Sequence, residues 1–316
     1  MSSWLVTGSS GFVGTALTRQ LNGLSPLSPL SPRPCVYFAS RGAPALSFVP
    51  AGSHVDTIIH LAGVAHVGRA AAATARRTNL DESLARLDAA IAAGVGRFVY
   101  LSSTLAAAAE MPEQPPEQHA DLTDYGRDKF AVEQALLAAA ANGNIEVVIL
   151  RAVNIYGAGM RGNIASMIRL MRAGKLPRLP KLANKISLVD VDDVARALIQ
   201  AAQLPSNPQS TLALRVTLTD GEQYLINDIQ DAIFDALGRR PSHLRLPRVL
   251  LFAAAAMAEF AEKLGIFPSG IGLRTYRNLT RDNCFTNTAA REALGFAPTM
   301  TFYQALPQIV QQELIK

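Results

Sequence analysis

The 316-residue chain is long enough for a substantial buried core, and 49% hydrophobic against 17% charged residues excludes a disordered chain. Its formal net charge is +5, yet the basic residues are dispersed rather than clustered, which argues against a nucleic-acid partner and suits small anionic ligands. Cys35 and Cys284 match no metal or redox spacing, and Met1 to Val6 runs into a strand pattern without a signal peptide, so a cytoplasmic protein with reduced thiols and no metal is expected.

In chain order, Trp4-Leu5-Val6 reads as a strand, followed by Thr7-Gly8-Ser9-Ser10-Gly11-Phe12-Val13-Gly14 and a helix to about Leu21. Three glycines between a strand and a helix allow a tight turn, close approach of a pyrophosphate and close helix packing. Thr7, Gly8, Ser10, Gly11, Phe12, Val13 and Gly14 are therefore candidate dinucleotide contacts. Ser25 to Pro32 has proline every third residue and reads as an extended loop insertion. The second strand, Val36 to Ala39, runs into Ser40 and Arg41 with no acid, which favours a ribose 2′-phosphate and so NADP, NAD being the alternative.

Thr57 to Leu61 is a third strand, leading into Ala62 and Gly63. Leu80, Leu84, Leu87 and Ile91 mark an amphipathic helix over Asn79 to Ala93, which Asn79 opens as an N-cap or as a member of a hydrogen-bond network. Phe98 to Leu101 is a strand ending at Ser102, Ser103 and Thr104, and Ile145 to Leu150 another. The βαβαβ order implies an α/β chain with a doubly wound parallel sheet and ligands at the carboxyl ends of its strands.

After about residue 155 the alternation loosens. Ile164 to Arg172 is helical, Ile186 to Val189 extended, and Asp192 is the expected N-cap of a helix through Ala195 to Ala202. Leu212 to Leu218, the helix after Asn227 and the Leu246 to Leu264 helix have mixed order. They point to a smaller carboxyl-terminal substrate lobe over 156–316, beside a dinucleotide-binding domain over 1–155 with returns from 185–202. Val249 to Ala258 is the most apolar stretch, too short for the roughly 20 residues of a membrane span. It reads as a buried helix, or as an apolar wall facing substrate or a membrane surface.

Tyr125 and Lys129 stand four residues apart, on one face of a helix. A phenol becomes a useful acid–base when a nearby ammonium stabilises its phenolate. Ser103, with Ser102 and Thr104 as rivals, offers a hydroxyl at the strand rim to hold a substrate oxygen.

These segments together resemble the extended short-chain dehydrogenases, the superfamily of NAD-dependent epimerases and dehydratases with a Rossmann sheet. The resemblance covers Thr7 to Gly14, His60-Leu61-Ala62-Gly63, Asn79, Leu101-Ser102-Ser103, Tyr125 to Lys129, Arg151 to Gly157, Asn184 to Val189 and Phe285 to Phe296. It implies hydride transfer with Tyr125 as acid–base, Lys129 on the nicotinamide ribose, Ser103 on the reacting oxygen, and His60, Leu61, Ala62, Gly63 and Asn79 along the cofactor. Asp128 departs from the family's serine. The Arg151-x-x-Asn154-x-Tyr156-Gly157 frame is similar to bacterial UDP-keto-sugar reductases and 4-epimerases such as quinovosamine dehydrogenase. That similarity implies a UDP- or dTDP-sugar substrate with Asn154 as a contact. Arg161, Asn163, Lys185 and Arg281 are candidates to neutralise its diphosphate, because charge-assisted bonds to phosphate are strong, beside Ser103 and Thr104 as substrate contacts. A 3β-hydroxysteroid-dehydrogenase-like enzyme on a lipid-like alcohol is the alternative, and a non-catalytic NADP sensor a lesser one. A homodimer is compatible with the resemblance.

Overall fold

The computed structural model describes residues 2–23, 34–39, 49–50, 52–63, 77–109, 123–206, 212–241, 244–263 and 272–315. The chain forms two compact units. One comprises Met1–Val153, Val191–Leu218 and Asn287–Ala297; the other comprises Asn154–Asp190, Thr219–Thr286 and Pro298–Lys316.

The first unit holds strands β1 (Ser3–Thr7), β2 (Cys35–Ala39), β3 (Thr57–His60), β4 (Arg97–Ser103), β5 (Glu146–Ala152) and β9 (Ala213–Leu218). They pair in the order β2-β1-β3-β4-β5-β9, every pair parallel. Parallel strands buried on both faces must be apolar throughout, and β1, β3, β4 and β5 are almost continuously buried. Helices α2 (Glu82–Ala92) and α3 (Asp124–Ala141) supply Leu87, Ala90, Val132 and Leu136 to a core with Leu5, Ile58, Phe98 and Ile149. Helices α1 (Phe12–Asn22) and α5 (Val191–Ala202) pack together, and α5 also meets β3, β4 and β5. The doubly wound sheet is thus as expected. Because β2 and β3 flank β1 on opposite sides, the winding reverses there, leaving a crevice at the carboxyl ends of β1 and β3.

Several local expectations change. Leu212 to Leu218 belongs to the main sheet as its sixth strand, beside β5. Asn79 does not cap α2: it lies in a π-helical turn, Arg77–Asp81, that precedes the helix. Asp192 is inside the first turn of α5, which begins at Val191, and its carboxylate accepts from Arg19 on α1, favourable at the positive end of a helix. The proline-rich segment lies outside the described residues.

The second unit contains β6 (Asn154–Tyr156), β7 (Lys185–Ile186), β8 (Leu188–Asp190) and β10 (Tyr224–Leu225) in two short ladders, β6 parallel to β8 and β7 antiparallel to β10. The expected strand at Ile186 to Val189 divides at Ser187. Its backbone and hydroxyl turn instead to Asn283 and Phe285, the Ser187 Oγ accepting from Phe285 N at 3.0 Å. Helices α4 (Asn163–Arg172), α6 (Ile226–Ala236), α7 (Arg248–Lys263), α8 (Leu273–Thr280) and α10 (Phe302–Ile315) complete this unit; α9 (Thr288–Leu294) belongs to the first. Helix α7 is not the buried element its composition suggests. Only Ala255 among its described side chains is fully buried, while Val249, Leu250, Phe252, Met257 and Phe260 are exposed.

Candidate active site

At the crevice, Gly8 has φ +75°, a left-handed conformation that favours glycine, and a Cβ there would stand 2.8 Å from Ala62 N. A Cβ on Gly14 would meet Gly8 O at 2.2 Å, so this glycine is required for α1 to start directly against the turn. Gly11 N donates to Gly8 O at 3.0 Å. Gly11 also caps α1 without a side-chain hydrogen bond, and the first turn carries no acid. The first turn itself therefore supplies no anion to the positive helix end, the arrangement that fits a dinucleotide pyrophosphate. Ser10 and Gly11 are exposed, Phe12 is half-buried, and Val13 is buried in the core. Thr7 is buried, and its hydroxyl lies 2.7 Å from His60 Nδ1, so its side chain serves the fold rather than the crevice.

Across the crevice, Leu61 and Ala62 are half-buried and Gly63 exposed. A Cβ on Gly63 would stand 3.3 Å from both Asn79 Oδ1 and Lys129 Nζ, so the absence of a side chain here leaves Asn79 and Lys129 side by side. Ser103 ends β4 half-buried, its hydroxyl accepting from Leu105 N at 3.2 Å; Thr104 is buried behind it. Thr123 caps α3 by accepting from Gly126 N at 2.8 Å. Gly126 in turn lets the helix start pack on the turn after β4, since a Cβ there would stand 2.6 Å from Leu105 O. That contact brings the first turn of α3, with Tyr125, against the segment immediately following Ser103. Ser40 and Arg41 lie outside the described residues.

Lys129 is almost wholly enclosed. Its Nζ donates to Leu101 O at 2.8 Å and sits 4.4 Å from the Tyr100 ring centroid and 5.8 Å from that of Tyr125. An ammonium over an aromatic face recovers part of its lost hydration through the ring quadrupole. Tyr100 also stacks with His60, at 5.8 Å between ring centroids and 13° between planes. His60 is itself fixed by Thr7 and by Ser83, 2.9 Å from its Nε2, with Ser83 donating on to Asn79 O at 2.8 Å. Burial, then the Lys129 and Arg86 charges, hold His60 well below its ordinary range, so it packs as a neutral ring.

Burial pushes the Tyr125 phenol up to about 12 and brings the Lys129 amine down to about 7. The sequence expectation that the lysine depresses the phenol is therefore reversed here, because loss of water opposes charge on both groups. Glu133, one turn beyond Lys129 on α3, pulls the lysine back toward its charged form. Glu133 is buried and accepts from Ser102 Oγ and from Arg151 Nε at 3.0 Å. Asp128 is buried too, and its charge raises the Tyr100 hydroxyl after the larger effects of burial, Tyr125 and Glu133. Sequence reading missed Ser83, Tyr100, Gly126 and Glu133. Only the Glu133 spacing of four after Lys129 offered a local signal.

In the second unit, Asn154 opens β6 and is exposed, as are Arg161, Asn163 at the start of α4, and Arg281. Arg161 lines a groove of about 560 Å³ with Met160, Arg169, Arg172 and Glu313. Lys185 is exposed on β7, where its backbone N donates to Asp282 Oδ1 at 2.7 Å.

The Lys129 shift has a thermodynamic consequence. Between about 7 and the ordinary 10.5, the unfolded chain holds a proton that folded Lys129 releases, so stability rises with pH through this window. This contribution is complete above the unfolded value and lost as pH falls through about 7. Urea unfolding of the dinucleotide-free protein should show a slope up to about 1.4 kcal/mol per pH unit that Lys129→Met lacks. Parallel profiles for the two proteins would contradict a desolvated lysine.

Residues 4–214 match the NAD dependent epimerase/dehydratase family. The chain is 31% identical over 226 residues to a UDP-glucose 4-epimerase of Vibrio cholerae, covering 64% of this chain and 67% of that protein. It is 27% identical to a ceramide reductase of Caulobacter vibrioides, covering 95% of this chain and 94% of that protein. Among solved structures, MoeE5 in complex with UDP-glucose and NAD superposes with a TM-score of 0.70 at 20% identity, covering 99% of each chain. Taken with the glycine turn at a parallel-sheet crevice, these matches make the chain a member of the NAD dependent epimerase/dehydratase family, an NAD(P)-dependent enzyme within the extended short-chain dehydrogenase/reductases.

Proposed function

We propose that this enzyme reduces or epimerises the 4-position of a nucleotide-linked sugar, a UDP- or dTDP-sugar, with NADP(H) preferred over NAD(H). The observation that carries the reading is the seating of Lys129 beside Tyr125, Gly63 and Asn79 at the sheet rim where Ser103 ends β4. The dinucleotide supplies or accepts the hydride. In this reading Tyr125 exchanges a proton with the substrate oxygen, and Ser103 holds that oxygen by hydrogen bonding. Lys129 binds the nicotinamide ribose and, with a value of about 7, takes up or releases a proton near neutrality. A phenol near 12 is protonated at neutral pH, which favours proton donation and hence carbonyl reduction.

The acid-free Ala39-Ser40-Arg41 segment supports the NADP preference. Thr7 to Gly14 would hold the pyrophosphate, Leu61, Ala62, Gly63 and Asn79 would line the dinucleotide, and residues 1–155 would form its domain. Asn154, and Arg161, Asn163 and Arg281 from the 156–316 lobe, are proposed as sugar-nucleotide contacts, the arginines because they form strong charge-assisted bonds to a diphosphate; Ser103 and Thr104 are proposed as contacts too. The nearly full-length match to the ceramide reductase supports a second reading, a lipid-like alcohol or ketone. Thermal shift in the presence of NADP+ separates the two. A UDP- and dTDP-sugar panel is expected to raise Tm while long-chain keto-lipids do not; stabilisation by the lipids alone overturns the sugar reading.

A further inference from the structure

Six of the nine large hydrophobic side chains exposed among the described residues fall within seventeen positions: Leu244 at 82%, Val249 at 75%, Met257 at 72%, Phe260 at 64%, Leu250 at 54% and Phe252 at 48%. Five of them are on α7. At about 100° per residue they share an arc of about 160° that contains no acidic residue. Of the two acids on α7, Glu259 turns elsewhere, its carboxylate accepting from Leu273 N at the start of α8 at 3.1 Å. Large apolar side chains exposed together on one helix face are the usual mark of an interaction site.

Charge identifies the partner. From Leu237 to Ala258 the chain carries Arg239, Arg240, Arg245 and Arg248 and not one acid. Arg239, Arg240 and Arg248 are exposed, whereas Arg245 is half-buried beside Asp231. The apolar arc is therefore entered through a basic segment. A second copy of this chain is a poor partner, because a two-fold contact through this face would bring the arginines of one protomer against those of the other. A surface both apolar beneath and negatively charged above matches better. Helix α7 has 16 residues, and no described helix is long and apolar enough to cross a membrane. It is suited to lying in the plane of the headgroups instead.

We propose that α7 and the arginine segment before it dock this enzyme on the surface of an anionic lipid bilayer, with Val249, Phe252, Met257 and Phe260 entering the headgroup boundary and Arg240 and Arg248 contacting lipid phosphates. The test is co-sedimentation of the full chain with phosphatidylglycerol-containing vesicles and with pure phosphatidylcholine vesicles. Pelleting with the anionic vesicles, weakened by salt, is expected, with little on the neutral ones. Val249→Asp with Met257→Asp should abolish pelleting. Arg240→Gln with Arg248→Gln should weaken it about 10–30-fold at low salt, as expected for two surface arginines. Circular dichroism and unchanged NADP+ affinity show that the variants are folded. No pelleting, or equal pelleting on both vesicle types, overturns the proposal. So does an Asp double variant that pelletes as wild type while losing a dimer in size-exclusion chromatography, which would make the face a self-association surface.

Discussion

Tyr125→Phe should cut turnover by about 10²–10⁴-fold while leaving dinucleotide affinity within a few fold, because the substitution deletes one proton-handling group and keeps the ring that Lys129 approaches. The measurement pairs steady-state rates on the substrate found by thermal shift with NADP+ titration by fluorescence. Persisting turnover would remove Tyr125 from the chemistry and leave Ser103 or an unassigned group to move the proton. Loss of dinucleotide affinity as well would show that the variant reports on folding of the α3 start rather than on acid–base work.

The second large effect lies beneath the site. Glu133→Gln removes the carboxylate that faces Arg151 through two contacts to its Nε, at 3.0 and 3.1 Å, within the core of the first unit. A buried charge that loses its counter-charge typically costs about 3–5 kcal/mol, and a fall in Tm on the order of 10 °C is expected. Replacing both partners, as Glu133→Leu with Arg151→Met, should recover most of that loss, since an apolar pair needs no desolvation compensation. The same double variant lacks the charge that draws Lys129 toward its protonated form. Its pH–rate profile should therefore shift to lower pH even though its stability returns. A profile identical to wild type would show that Glu133 serves the fold alone.

How far the site was legible depended on sequence distance. Tyr125 and Lys129 are four residues apart, and the glycine turn spans seven, so helix and turn geometry sufficed to group them. Ser102 and Ser103 could not be separated by pattern. The structure distinguishes them: Ser102 is buried against Glu133, while Ser103 is half-buried at the strand end. Thr7 opens the glycine motif in sequence, yet its hydroxyl is committed to His60, a residue 53 positions away.

The amino-acid order by itself determined the doubly wound sheet, the glycine turn and the helical spacing of Tyr125 and Lys129, because each is written in a local period or a fixed offset. Tertiary structure alone decided that burial, not the ammonium, governs the Tyr125 phenol, that Tyr100 and Leu101 O seat Lys129, and that the apolar α7 stays on the surface. The physical reason is common to all three: desolvation and packing depend on which distant segments meet, and no short-range pattern records that encounter.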